Sequence, residues 1–168
     1  LGDVYKRQVY GNLPYNISTQ IFAYWCLSKK VKFKKLILMF QKEVAERICE
    51  SPGSKKYGII SVLTQLFYKT DLLFEVPPNV FSPVPKVYSA VIQLIRKNNT
   101  NLNCDEQLLF RIVKLSFQQR RKTLRNSLKN LNISEKLRED SIFDNRPEQL
   151  SVNQFIELTK LVHGDLKM

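Results

Sequence analysis

Apolar and polar positions change period several times along the first hundred residues and then settle to a helical spacing. Residues 9–12 read as the tail of a buried strand. Ser18 is placed to cap a helix running to about residue 29, with Ile21, Phe22, Trp25 and Cys26 on one side. Residues 36–41 form a short run that is apolar up to Phe40, as expected of a strand buried on both faces of a parallel sheet. A helix over 43–50 follows and is stopped by Ser51, Pro52 and Gly53. From Gly58 onward Ile59, Val62, Leu63 and Leu66 recur at helical spacing, despite their β-branched neighbours. Residues 72–76 are strand-like. Four of the seven prolines fall between 77 and 85, making a stiff loop, and residues 87–95 read as the last strand.

This alternation predicts an α/β layer with a mainly parallel sheet up to residue 97. Ligands on such sheets lie beyond the carboxyl ends of the strands, where Asn12 falls. The polar run from Asn98 to Asn103 marks the boundary between a domain over 9–97 and one over 98–168. Beyond it the pattern predicts helices over about 105–119, 123–131, 134–139 and 151–163. Ser151 and Gln154 stand at the spacing of a capping box. Residues 1–8 do not join this pattern. Asp3 to Gln8 matches one reading frame of a transposon end used in sequencing libraries, so the native segment is expected to start near Val9, as the back part of a longer protein.

Charge narrows the class of partner. The 168 residues carry 27 Lys and Arg against 15 Asp and Glu, a net charge of +12 with a pI near 9.7. A polyanion such as nucleic acid is the simplest reason for that excess. Hydrophobic residues make up 43%, enough for a packed core. The three cysteines are far apart and His163 is the one histidine, so neither a zinc site nor a disulfide framework is expected. The reading is of a cytoplasmic, reducing environment and no membrane association, since the longest apolar runs are too short to cross a bilayer and no secretory signal opens the chain.

Three stretches carry candidate chemistry. The first is Asn12-Leu13-Pro14-Tyr15. Pro14 restricts the residue before it, so the Leu13 carbonyl is fixed in direction and can accept a hydrogen bond together with the Asn12 side-chain oxygen. Two acceptors suit the two hydrogens of an exocyclic amino group, and Tyr15 offers a face on which a planar base stacks. The competing reading is a strand that ends in an ordinary Asn-Pro turn. The second stretch is the proline loop, where Phe81 stands either as a second stacking face or as a plug in the core.

The third is basic. From residue 107 to residue 134 every charged side chain is positive: Arg111, Lys114, Arg120, Arg121, Lys122, Arg125 and Lys129. In a single helix, all but Arg120 would fall within about 100° of arc. A break near Thr123, with Thr123 as N-cap, would instead put residues 120–122 in a turn. Either arrangement makes a phosphate-reading ridge, and a solvated basic face is the alternative. Glu43 and Glu46 read as surface acids of a helix rather than as general bases.

Together these stretches resemble the KsgA-type rRNA adenine N6-dimethyltransferases. The resemblance rests on Gly11-Asn-Leu-Pro-Tyr-Asn-Ile-Ser18, Phe40-Gln-Lys-Glu-Val44, Tyr57-Gly58, Glu75-Val-Pro-Pro78, Phe81-Ser-Pro-Val-Pro-Lys-Val87 and Gln119-Arg-Arg-Lys-Thr-Leu-Arg-Asn-Ser-Leu128. It implies the C-terminal part of a Rossmann-like, class I S-adenosylmethionine-dependent methyltransferase sheet, followed by a small all-α domain that helps seat RNA. It also implies transfer of four methyl groups in total to two adjacent adenosines near the 3′ end of small-subunit rRNA, on an immature small ribosomal subunit, by a monomer. Asn12 would hold the adenine amino group and border the cofactor, Leu13 would add its carbonyl ahead of Pro14, and Tyr15 and Phe81 would clamp the base. Arg120, Arg121, Lys122, Arg125 and Lys129 would meet phosphates.

One part of the family pattern is missing. The glycines at 2, 11, 53, 58 and 164 are too far apart to make the Gly-rich cofactor loop. Half the sheet and most of the cofactor pocket are thus expected outside this chain, and the fragment alone is expected to be inactive. Two further readings stay open: the related large-subunit rRNA methyltransferases of macrolide resistance, and a non-catalytic RNA-binding factor in ribosome assembly.

Overall fold

The computed structural model describes residues 8–27, 32–98 and 101–166. The end of the first predicted helix, near residue 29, lies outside them. The described chain divides into two compact units. One holds the chain up to Glu50 together with the stretch from Leu63 to residue 98. The other holds Ser51–Val62 and the chain from Asn101 onward. Among the described residues no helix is long and apolar enough to cross a membrane.

The first unit is built on a four-stranded sheet. Strand β1 (Gln8–Asn12) leads through α1 (Ser18–Leu27) to β2 (Lys35–Gln41), and α2 (Lys42–Cys49) and α3 (Ile59–Phe67) lead to β3 (Tyr68–Val76). Strand β4 (Ser89–Arg96) completes the sheet in the order β1-β2-β4-β3. β1 and β2 are parallel, whereas β4 is antiparallel to both of its neighbours. Three strands therefore share one direction and β4 runs against them, so the sheet is mixed rather than mainly parallel. The reason is the connection: the proline loop between β3 and β4 holds one 3-10 turn (Pro78–Val80) and no crossover α-helix, and a chain that returns without a crossover must reverse.

The element boundaries also shift. β3 begins at Tyr68, four residues before the strand-like run, because it follows directly on α3. β4 begins at Ser89, two residues later than its residue types suggest. Along β2, Leu36, Leu38 and Phe40 are fully buried while Ile37 and Met39 are only half-buried. Register places Ala90, Ile92 and Leu94 on the same face as those buried residues, and all three are fully buried too. Phe22 of α1 meets Phe40 edge-on on that face, at 5.5 Å between ring centroids.

Register also gathers one end of the sheet. Gln41 pairs with Ser89, and Ser89 with Val76. The carboxyl ends of β2 and β3 thus lie beside the start of β4, with Asn12 at the corresponding end of β1. The loops that follow β1 and precede β4 consequently open on the same edge.

The second unit packs α4 (Glu106–Gln118), α5 (Leu124–Ser127), α6 (Glu135–Arg138) and α7 (Val152–Asp165) around Leu109, Ile112, Val113, Phe143, Phe155 and Leu158, all fully buried. Asp105 caps α4 by accepting from the Leu108 amide, and Ser151 and Gln154 form the expected capping box of α7. The helix expected over 123–131 stops at Ser127. Beyond it the Lys129 and Leu131 amides donate three residues back, to the carbonyls of Asn126 and Leu128, and the Arg138 guanidinium donates to the carbonyls of Lys129, Leu131 and Ile133 at 3.1–3.2 Å. Ser51–Val62 joins this unit through backbone and side-chain bonds: the Gly53 amide donates to the Glu148 carbonyl (2.7 Å), and Tyr57 packs edge-on against Phe117.

Candidate active site

β1 delivers Asn12 to the sheet's edge, level with Met39 of β2. A Cβ on Gly11 would lie 3.3 Å from Cδ2 of Leu38, so the approach of the two strands here favours a residue without a side chain. After Asn12 the chain turns tightly. Leu13 is buried, the Pro14 carbonyl accepts from the Ile17 amide (3.1 Å), and the Tyr15 carbonyl accepts from the Ser18 hydroxyl (3.2 Å). Ser18 is thus the first residue of α1 and donates backward, instead of acting as an accepting N-cap.

The second wall comes from the proline loop. A single turn over Pro78–Val80 ends with the Phe81 amide donating to the Pro78 carbonyl at 3.2 Å, and the Ser82–Pro83 peptide is cis. The Lys42 amide donates to the Tyr88 carbonyl (2.9 Å), and the Lys42 ammonium meets Glu75 (2.7 Å), tying the loop's two ends to the start of α2. The Tyr15 phenol shares a hydrogen bond with the hydroxyl of Ser89, the first residue after the loop.

Between these walls lies a cavity of about 390 Å³ lined by Asn12, Leu13, Pro14, Tyr15 and Phe81, joined by Ser82, Pro83 and Pro85. All five residues singled out for base handling line it. The three added residues had one signal in the sequence, their adjacency to Phe81. Ser89 had none beyond being a polar residue at the mouth of an apolar strand.

Among the described residues no Asp, Glu, Lys, Arg, His or Cys lines this cavity. Its polar atoms are an amide, hydroxyls and backbone carbonyls, and the Asn12 side chain is exposed with no hydrogen-bond partner among the described residues. Such a site can hold and orient a planar amine. Elsewhere in this unit the Cys26 and Cys49 thiols are pushed up by burial, to about 12 and about 11, which makes them poor nucleophiles. Glu43 pairs with Arg47 one turn on.

In the second unit the basic segment is not one helix. α4 ends at Gln118, residues 119–122 turn with the Lys122 amide donating to the Gln119 carbonyl (2.8 Å), and α5 starts after Thr123. Thr123 makes no side-chain capping bond of its own. Arg120 is engaged with protein: its Nη2 donates to the carbonyls of Ser54 (3.2 Å) and Tyr57 (2.9 Å). Arg125 pairs with Asp144 at 2.6 Å. Arg121, Lys122 and Lys129 are exposed and have no ion pair among the described residues.

The sequence profile described as ribosomal RNA adenine dimethylase matches residues 4–163. Among curated relatives, the "Ribosomal RNA small subunit methyltransferase A" of Flavobacterium johnsoniae is 56% identical over 168 residues, covering 98% of this chain and 64% of the relative. That of Phocaeicola vulgatus is 54% identical over 162 residues, covering 94% of this chain and 56% of the relative. The chain therefore spans about three-fifths of the length of these relatives. Among solved structures, a dimethyladenosine transferase from Plasmodium falciparum superposes with a TM-score of 0.82 at 24% identity, over 94% of this chain and 67% of that one. The 23S rRNA methyltransferase ErmE superposes at 0.63 with 18% identity, over 93% and 66%. Both show that the chain shares the fold of these methyltransferases, and the profile match over nearly the whole length shows that the chain belongs to the ribosomal RNA adenine dimethylase family.

Proposed function

We propose that this chain forms the base-holding and RNA-contacting part of an enzyme that dimethylates N6 of two adjacent adenosines near the 3′ end of small-subunit rRNA, in the cytoplasm, during assembly of the small ribosomal subunit. The observation that carries the reading is the single cavity lined by Asn12, Leu13, Pro14, Tyr15 and Phe81. The names of the relatives favour the small-subunit substrate over the large-subunit one.

In this reading the Asn12 side-chain oxygen and the Leu13 carbonyl accept the two amino hydrogens of adenine. Tyr15 and Phe81 take the two faces of the ring, each stacking contact worth about 1–3 kcal/mol. Holding both hydrogens directs the nitrogen lone pair out of the ring plane, and the proton leaves after the new bond forms, so no strong base is needed. Catalysis is then orientation plus desolvation of an extruded base. S-adenosylmethionine supplies, when bound, an electrophilic methyl group. Of the residues present, Asn12 fits the border of such a cofactor, since its amide is exposed and unpartnered at the strand's end; a Gly-rich loop for the nucleotide is not encoded within these residues.

The test joins this chain to the part of the Flavobacterium johnsoniae relative that it does not match, and measures methyl transfer to immature small subunits and to a large-subunit rRNA fragment. Methylation of adjacent small-subunit adenosines is expected, abolished by Asn12→Ala with RNA affinity nearly unchanged. Strong residual turnover in that variant would overturn the role of Asn12, and methylation of the large-subunit fragment alone would overturn the substrate.

A further inference from the structure

Arg120 is the least exposed of the three cations in the turn at 120–122, and its guanidinium spans both ends of a second, distant turn. Residues 54–57 form that turn. The Tyr57 amide donates to the Ser54 carbonyl at 3.2 Å and the Lys56 amide to the Ser54 hydroxyl at 3.1 Å. Lys55 and Lys56 are its two central residues, and both are exposed. The turn is held at both of its ends. Gly53, at φ 92°, takes a left-handed conformation that suits glycine, and its amide is fixed on the Glu148 carbonyl. The Tyr57 ring is buried and meets Phe117 of α4 edge-on at 6.2 Å.

We propose that Lys55 and Lys56 extend the phosphate-binding surface of Arg121 and Lys122, and that Arg120 is a positioning residue joining the two cationic turns rather than a phosphate ligand. This rests on the reading of the basic segment as an RNA contact. Because Arg120 bonds to the carbonyls on either side of Lys55 and Lys56 and immediately precedes Arg121 and Lys122, one side chain sets the spacing of two pairs of cations. Neither Ser51–Val62 nor residues 107–134 contains an acid. In the sequence Tyr57 and Arg120 are 63 residues apart. A ligand with charges repeated along a flexible chain, such as an RNA backbone, matches exposed cations arranged this way.

The test measures binding of a labelled RNA hairpin, copied from the 3′ end of small-subunit rRNA, to the 168-residue chain over a range of salt concentrations. Each phosphate contact contributes about 0.7–0.9 to the slope of log K against log salt. Lys55→Ala with Lys56→Ala, both at exposed positions, is expected to lower the slope by about one to two. Arg121→Ala with Lys122→Ala is the companion variant. A slope lowered by the companion but unchanged by the lysine pair overturns this proposal and leaves the basic segment an RNA contact. A slope unchanged by both overturns the RNA reading itself. Arg120→Ala decides the positioning role: its effect should largely vanish when Lys55 and Lys56 are already alanine. An equal loss in both backgrounds would make Arg120 a phosphate ligand in its own right.

Discussion

The phenol of Tyr15 and the hydroxyl of Ser89, 74 residues apart in sequence, share a hydrogen bond that links the two walls of the cavity. One partner stands in the turn after β1, the other at the first position of β4, so the bond fixes the tilt of the aromatic face relative to the loop that bears Phe81. A neutral hydrogen bond contributes about 1 kcal/mol, or roughly a fivefold change in a rate that depends on it. Tyr15→Phe and Ser89→Ala in the joined enzyme are each expected to slow single-turnover methyl transfer by about that factor. The double variant should be no slower than either single one. Losses that multiply would show that the two groups act separately.

Much of the first unit was legible because its elements are written in local periodicity, and the cavity because its chemistry sits in two short stretches. What escaped depends on partners distant in sequence. The direction of β4 follows from a return after β3 with no crossover α-helix, which residue types in 87–95 do not encode. The basic segment is free of acids locally; Asp144, which pairs with Arg125, lies 19 residues away. Arg120 shares the expected phosphate role of Arg121 and Lys122, yet its guanidinium bonds to carbonyls 63 and 66 residues away in sequence. The helix expected over 123–131 is cut short by tighter turns, in which the Lys129 and Leu131 amides donate to the carbonyls of Asn126 and Leu128 three residues back.

Tyr57 buries its hydroxyl with no hydrogen-bond partner among the described residues. Removing an unsatisfied buried hydroxyl relieves a desolvation cost, so Tyr57→Phe is expected to leave stability unchanged or raise it by up to about 1 kcal/mol. Burial pushes the phenol up to about 12 from its ordinary 10. The folded state thus keeps a proton that the unfolded state releases, and stability should fall as pH rises from about 10 toward 12. Thermal melts of both proteins across that range check the pair: the variant should lack this part of the alkaline loss.

Asp165, at the last position of α7, accepts from both the amide and the hydroxyl of Ser134, the N-cap of α6. These bonds favour the carboxylate and hold its pKa below the ordinary 3.8. Its contribution is present above that value and is lost as pH falls through the lower, folded-state one. Asp165→Asn should therefore melt at a lower temperature than the parent at about pH 6, and the gap should narrow on acidification toward about pH 3. A gap that stays constant would assign the effect to packing instead of charge.

Arg125 presents a competition between a protein acid and an RNA phosphate. Its pair with Asp144 is exposed, with 40% and 67% of the two side chains accessible, and exposed pairs are worth about 0–1 kcal/mol. A phosphate can displace so weak a partner, but the exchange subtracts the pair's strength from RNA affinity. Asp144→Asn removes that cost and is expected to tighten RNA binding by up to about fivefold at low salt. Arg125→Ala should weaken binding and lower the salt slope by about one contact. The combination separates two roles. If Asp144→Asn tightens binding only when Arg125 is present, the arginine meets phosphate in the complex. If neither variant moves the slope while both lower the melting temperature, the pair is a latch that fastens the turn at Ser141–Asp144 to α5, alongside the bond from the Leu124 amide to the Asn145 carbonyl (2.8 Å), and the phosphate surface lies on Arg121, Lys122 and Lys129 without it.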